Sequence, residues 1–156
     1  MAKKIDKESS DGVFIFDTKL LGYRKEVTRT IAIPKEQSLY KLAEAIIAAY
    51  NFDFDHCFGF FDSKSDNPYS KSVRKYELFT DMVAEGMNIE PTGADSVKHT
   101  RLDQVWSRHG DSMLFLFDYG DVWRFLVTLT ATGNGHTSSS LPSVLMSSGK
   151  APKQYR

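Results

Sequence analysis

The sequence predicts an α+β domain: a single mixed or antiparallel sheet with helices against it and an inserted helical and loop segment. Three observations carry this. Residues 13–33 hold two runs rich in β-branched and aromatic types, separated by Gly22 and the charged Arg24-Lys25-Glu26. A stretch at helical spacing follows, behind a serine placed to cap it. Two further apolar runs, 113–119 and 122–130, flank Gly120-Asp121.

Taken in order, Val13 to Leu20 and Val27 to Ile33 read as an antiparallel hairpin, with Arg29 interrupting the apolar face of the second strand and Pro34 stopping it. Ser38 caps a helix over 38–50, whose Leu39, Leu42, Ala43, Ile46, Ala49 and Tyr50 form one stripe; Asn51 is its left-handed terminator. His56 to Phe61 is a third strand, and 62–72 a polar loop. A helix is expected over 73–84, ended by Gly86, and a short one over 101–108 that buries Leu102, Val105 and Trp106. Glycine at the first central position of Gly120-Asp121 suits a two-residue type II′ turn. That turn sets Tyr119 opposite Val122 and Asp118 opposite Trp123, so Leu114, Leu116 and Asp118 share a face with Trp123, Phe125 and Val127. Both faces of this hairpin are apolar, which places it at the centre of the sheet. A hairpin, a helix and returning strands resemble a β-grasp arrangement, a topological likeness that carries no function. The expected organisation is a frayed tail over 1–11, a core over 12–131, a Gly/Ser linker over 132–140 and a segment over 141–156 that packs back through Leu141, Val144, Leu145 and Met146.

Composition narrows the function classes. The chain has 156 residues, 41% of them hydrophobic and 26% charged, the balance of a globular domain. Twenty basic residues against 20 acidic ones argue against a broad nucleic-acid footprint. The single cysteine, Cys57, excludes an internal disulfide. No apolar run reaches the ~20 residues of a membrane span and no signal peptide is readable, so a cytoplasmic protein without a membrane partner is expected.

Four segments carry a resemblance. They are Val27-Thr28-Arg29-Thr30-Ile31-Ala32-Ile33-Pro34, the helix with its exit Asn51-Phe52-Asp53-Phe54-Asp55-His56, the stretch Phe117-Asp118-Tyr119-Gly120-Asp121-Val122-Trp123-Arg124, and the tail Pro142 with Gly149-Lys150-Ala151-Pro152-Lys153-Gln154-Tyr155. Read together, from Val13 to Tyr155, they resemble the plasmid open-reading-frame-three-like family of Ri plasmids and insertion-element passenger proteins. Here Thr28 stands for that family's strand tryptophan, Phe125 for its histidine, and Pro152-Lys153-Gln154-Tyr155 for its acidic tail. The resemblance implies mobile-element association and brings no assigned chemistry.

The residues themselves offer one candidate functional surface: Asp55, His56, Asp118, Asp121 and Trp123. Two carboxylates bracket a turn beside an aromatic ring, able to take a cation or a basic group, although Asp118 and Asp121 also suit plain turn-forming roles. His56 opens a strand whereas Asp118 ends one; if those strands are antiparallel neighbours, the two meet at one edge. Ser138-Ser139-Ser140 lacks a nucleophile-elbow context, no glycine run forms a phosphate loop, and the histidines show no metal-ligand spacing. No cofactor or metal is expected. The favoured reading is an interaction module that presents an aromatic-acidic groove to a peptide or protein partner, more so than an enzyme. The alternative is a small metal-dependent hydrolase or transferase using Asp55, His56, Asp118 and Asp121. A third reading, a DNA-associated protein of mobile elements, follows only from the resemblance.

Overall fold

Strand alternation starts the fold. The computed structural model describes residues 12–133 and 140–155. In β1 (Val13–Leu20) Phe14, Phe16, Thr18 and Leu20 point inward while Asp17 and Lys19 stay in water. β2 (Thr28–Pro34) pairs with it antiparallel, from Val13 opposite Pro34 to Lys19 opposite Thr28. Ser38 Oγ accepts the Lys41 N–H at 3.2 Å and so caps α1 (Leu39–Ala49). Leu39, Leu42, Ala43, Ile46 and Ile47 are buried along one stripe of that helix. Asn51, at φ 64°, turns the chain out of it. The remaining elements are β3 (Phe58–Phe61), α2 (Pro68–Lys71), β4 (Lys75–Glu77), α3 (Leu78–Ala84), a 3-10 turn at Leu102–Gln104, β5 (Ser112–Phe117), β6 (Trp123–Gly133) and β7 (Ser143–Ser148).

One seven-stranded sheet results, ordered β4-β3-β5-β6-β1-β2-β7, and every pairing between these strands is antiparallel. β6 is therefore the middle strand. The α1 stripe shares a continuous core with Phe16, Phe58, Phe60, Phe115, Phe117, Phe125 and Trp106. Each such side chain contributes ~1.5–3 kcal/mol when fully buried. A smaller layer covers the other face near β3 and β5, where Leu114, Leu116 and Phe61 are buried and Tyr69, Tyr119 and Phe79 meet ring to ring. Backbones approach closely there: a Cβ on Gly59 would lie 2.9 Å from the Tyr76 carbonyl oxygen. The β-grasp likeness is not confirmed. The strand after the helix, β3, lies beyond β5 and β6 from the β1–β2 hairpin.

Five expectations need correction. The β5–β6 connection is not a two-residue turn, because its last pair is Phe117 opposite Trp123 and five residues, 118–122, make the loop. Asp118 and Val122 are its left-handed residues, at φ 69° and 59°. The Asp118 carboxylate takes the role expected of glycine by accepting the N–H groups of Gly120 at 3.0 Å and Asp121 at 3.2 Å. Register consequently moves by one residue, which exchanges the faces: Phe115 lies opposite Phe125, and Trp123 shares its face with Phe115 and Phe117.

Residues 73–84 are not one helix. Tyr76 pairs with Phe60, giving the edge strand β4, and helix begins only at Leu78. The 101–108 helix is a single 3-10 turn, since Asp111 Oδ2 captures the Ser107 and Arg108 N–H groups at 2.9 Å each. Leu102, Val105 and Trp106 are nonetheless buried. Of the proposed linker, Thr132 and Gly133 belong to β6, while 134–139 lie outside the described residues, as does the tail over 1–11. The C-terminal segment is held by backbone pairing of β7 with β2, not by its apolar side chains: Leu145 and Met146 are 51% and 69% exposed.

Candidate functional site

The loop after α1 builds one wall. Phe52 and Phe54 turn inward, against Trp123 (ring centroids 4.8 Å apart) and Phe117 (6.0 Å), so the alternating Asp53 and Asp55 face water. β3 runs antiparallel to β5, with Phe58 opposite Phe117, and the Asp118 N–H extends that ladder to the Cys57 carbonyl at 2.9 Å. The start of one strand and the end of the other thus coincide. His56 Nε2 lies 3.5 Å from Asp118 Oδ2, and His56 Nδ1 lies 2.8 Å from Asp55 Oδ1. Both ring nitrogens face carboxylates, and the imidazole remains open to solvent with 37% of its side chain exposed.

The C-terminal segment supplies the other wall. Tyr155 Oη donates to Asp55 Oδ2 at 2.5 Å and stands 3.4 Å from His56 Nδ1. Gln154 clamps the loop below it, accepting the Asp53 N–H at 2.6 Å and donating to the Asp53 carbonyl at 3.1 Å and to Asp55 Oδ1 at 3.3 Å. Tyr155, with His56 behind it, holds the Asp55 carboxyl below the usual carboxylate range. The same bond, seen from the phenol, pushes Tyr155 up to about 12.

Asp121 and Trp123 line the adjoining cleft of about 460 Å³ together with Lys153, Gln154 and Tyr155. Trp123 does not stand opposite Asp118, as the two-residue turn required, but opposite Phe117 and against Phe52. Its indole N–H is buried without an acceptor among the described residues. Asp118 is 5% exposed and divides its carboxylate, one oxygen on the turn and one toward His56. Asp121 sits exposed at the loop tip. All five sequence-derived candidates therefore border one end of the sheet, although Asp121 joins them through the cleft and not through a bond to His56.

Three contributors were not read from the sequence: Gln154, Tyr155 and, in a neighbouring cleft that shares both, the buried Arg29. The first two were quoted only within the tail motif, and nothing local ties them to residues about a hundred positions earlier. Among the described residues no group of three or more His, Cys, Asp or Glu side chains is arranged to hold a metal ion. The Asp55–His56–Asp118 set fails for a geometric reason, because its carboxylates approach opposite nitrogens of one ring instead of converging on a point. Cys57 turns its Sγ to Met82 Sδ at 3.6 Å, and burial, with the Glu77 charge, pushes the thiol up.

Comparison with known proteins agrees on the fold. A crystal structure of a protein of unknown function from Methanosarcina mazei Go1 is similar, with a TM-score of 0.71 and 21% sequence identity over 92% of this chain and 73% of that one. No curated protein matches the sequence. The family model described as Plasmid pRiA4b ORF-3-like protein matches residues 13–154, a span that runs from β1 through the His56 and Asp118 loops to Gln154, and the chain belongs to that family.

Proposed function

We propose that the protein is a binding module whose acidic-aromatic cleft takes a basic peptide segment of a partner. The observation that carries this is the convergence of three distant stretches, Asp55-His56, Asp118 to Trp123 and Lys153 to Tyr155, at one end of the sheet beside a cleft lined by the last two. Asp121 lines that cleft, Asp55 and Asp118 stand beside it at Tyr155 and His56, and the three outnumber the one lining cation, Lys153, while Trp123 supplies an aromatic wall on which the stem of a Lys or Arg side chain can lie. The metal-dependent hydrolase alternative is the weaker reading. It needs converging ligands, and His56 has neither ring nitrogen turned away from a carboxylate. DNA association gains nothing from an acidic cleft on a chain of zero formal charge.

Titration with short Lys- and Arg-containing peptides tests the reading through tryptophan fluorescence. Trp106 is fully buried and donates to the Val127 carbonyl at 3.3 Å, so a spectral change reports on Trp123. Saturable binding that weakens with salt is expected, with Asp121→Asn lowering affinity roughly two- to fivefold, as removal of a rim charge does. Absence of binding, or binding indifferent to both salt and Asp121→Asn, would overturn it.

A further inference from the structure

A second cleft shares Lys153, Gln154 and Tyr155 with the first, and it is bordered by a buried cation without a counter-charge among the described residues. Arg29 is 8% exposed. Its Nε donates to the Ala49 carbonyl at 3.0 Å, and Nη1 donates to the carbonyls of Thr28, Ser148 and Gly149 at 2.7, 3.1 and 3.0 Å. The guanidinium carbon stands 5.0 Å from the centroid of the Tyr50 ring. Every acceptor is a neutral carbonyl, and among the described residues no carboxylate pairs with Arg29 and Nη2 has no hydrogen-bond acceptor. A guanidinium cannot shed its proton, and buried charges are ordinarily paired. The carbonyl end of α1 offsets only part of that charge.

Arg29 borders a cleft of about 560 Å³ together with Asn51, Asp53, Lys150 and Lys153. Three cations against one carboxylate leave a local charge near +2 in a chain whose formal charge is zero. The guanidinium is fixed by four hydrogen bonds, so presenting Nη2 to a ligand costs little further side-chain order. Lys150 and Lys153 are exposed and can adjust around it.

We propose that this cleft binds a phosphate dianion, free or as a monoester, with Arg29 Nη2, Lys150 and Lys153 as its donors. Phosphate carries about −1.5 to −2 charges at neutral pH, which matches the lining as a monocarboxylate does not. Its oxygens accept from a planar guanidinium and from ammonium groups alike. The room beyond a phosphate group leaves space for the organic part of a monoester.

The experiment is calorimetric titration of the full chain with inorganic phosphate and with glycerol phosphate, at constant ionic strength in chloride. Saturable binding of either supports the proposal, and the tighter of the two identifies the source. Lys150→Ala should weaken binding at least threefold and Lys150→Ala with Lys153→Ala at least about tenfold, at an unchanged melting midpoint. Asp53→Asn should tighten it about two- to threefold by removing the one opposing charge. No saturation by about 50 mM phosphate, acetate binding as well as phosphate, or a double lysine variant that binds normally would each overturn it. Lys153 lines both clefts, but Asp121 and Lys150 each line only one: Asp121→Asn should leave phosphate binding unchanged and Lys150→Ala should leave peptide binding unchanged, so the two proposals fail separately.

Discussion

Replacing Arg29 with methionine keeps an unbranched side chain of similar reach and removes all four of its hydrogen bonds. Two of the acceptors, the Ser148 and Gly149 carbonyls, lie at the end of β7, and a third, Ala49, closes α1. The guanidinium thus joins the helix, β2 and the C-terminal segment at one point. Hydrogen bonds to a charged group are worth ~1.5–3 kcal/mol each, but their simple sum overstates the loss. The buried cation carries its own desolvation cost, which methionine relieves. The carbonyls of β7 sit on an exposed edge where water can replace the donor. A net loss of about 2–4 kcal/mol is therefore expected, or roughly 5–15 °C in melting midpoint for a chain of this size. Urea unfolding measures the first quantity. Amide hydrogen exchange measures where it falls, and protection should drop in β7 more than in β5 and β6. A loss under about 1 kcal/mol would refute the reasoning, because hydrogen bonds of this kind would then contribute nothing net. So would a loss spread evenly over the sheet.

Asp55→Asn removes the carboxylate that holds the Tyr155 proton, so Tyr155 should ionise well below its present value of about 12, as followed by ultraviolet difference absorbance against Tyr155→Phe. Asp111 is held below its ordinary 3.8 by the Ser107 and Arg108 N–H groups. A depressed folded value stabilises above the unfolded one and is lost as pH falls through it, so Asp111→Asn should flatten the loss of stability below about pH 4 without changing the alkaline limb. Val122→Gly should raise the unfolding free energy measured in urea by about 0.5–1 kcal/mol, with a higher midpoint: glycine relieves a left-handed β-branched residue worth ~1–2 kcal/mol and gives back ~0.5–1 in chain entropy. A lowered midpoint would show that Val122 packing outweighs its strain.

The parts legible in the sequence were those with local periodicity. The β1–β2 hairpin and α1 with its Ser38 cap are built from contacts between near neighbours, and alternation or a 3.6-residue stripe reports them. β4 was illegible because three residues have no period; pairing with β3 makes it a strand. The neighbourhood of His56 and Asp118 could be read, since it follows from antiparallel pairing alone, whereas the position of Trp123 could not. A turn rule based on glycine placed it one residue out, because the Asp118 carboxylate, not Gly120, shapes that loop. Arg29 was visible only as an interruption in an apolar face. Its partners lie up to 120 residues away, beyond the range of any sequence pattern.

That same loop shows why the cleft is where it is. Among the described residues the non-glycine positions with positive φ are Asn51, which lines the Arg29 cleft, and Asp118 and Val122, in the loop that carries Asp121 and Trp123 into the other. Such backbone costs on the order of 1–3 kcal/mol per residue and persists only where the surroundings enforce it. Asn51 follows the last turn of α1, and Asp118 is fixed by its own bonds to Gly120 and Asp121. Val122, a β-branched residue with no side-chain bond of its own, is enforced by the Val122 N–H to Asp118 carbonyl bond at 2.6 Å and by the strand that begins at Trp123. A relaxed two-residue turn at Gly120-Asp121 would pair Tyr119 with Val122 and move the register by one. Trp123 would then leave the face of Phe117 and lose Phe52, and the aromatic wall of the cleft would turn to the other side of the sheet. The strained loop sets the register, and the register sets which face carries Trp123.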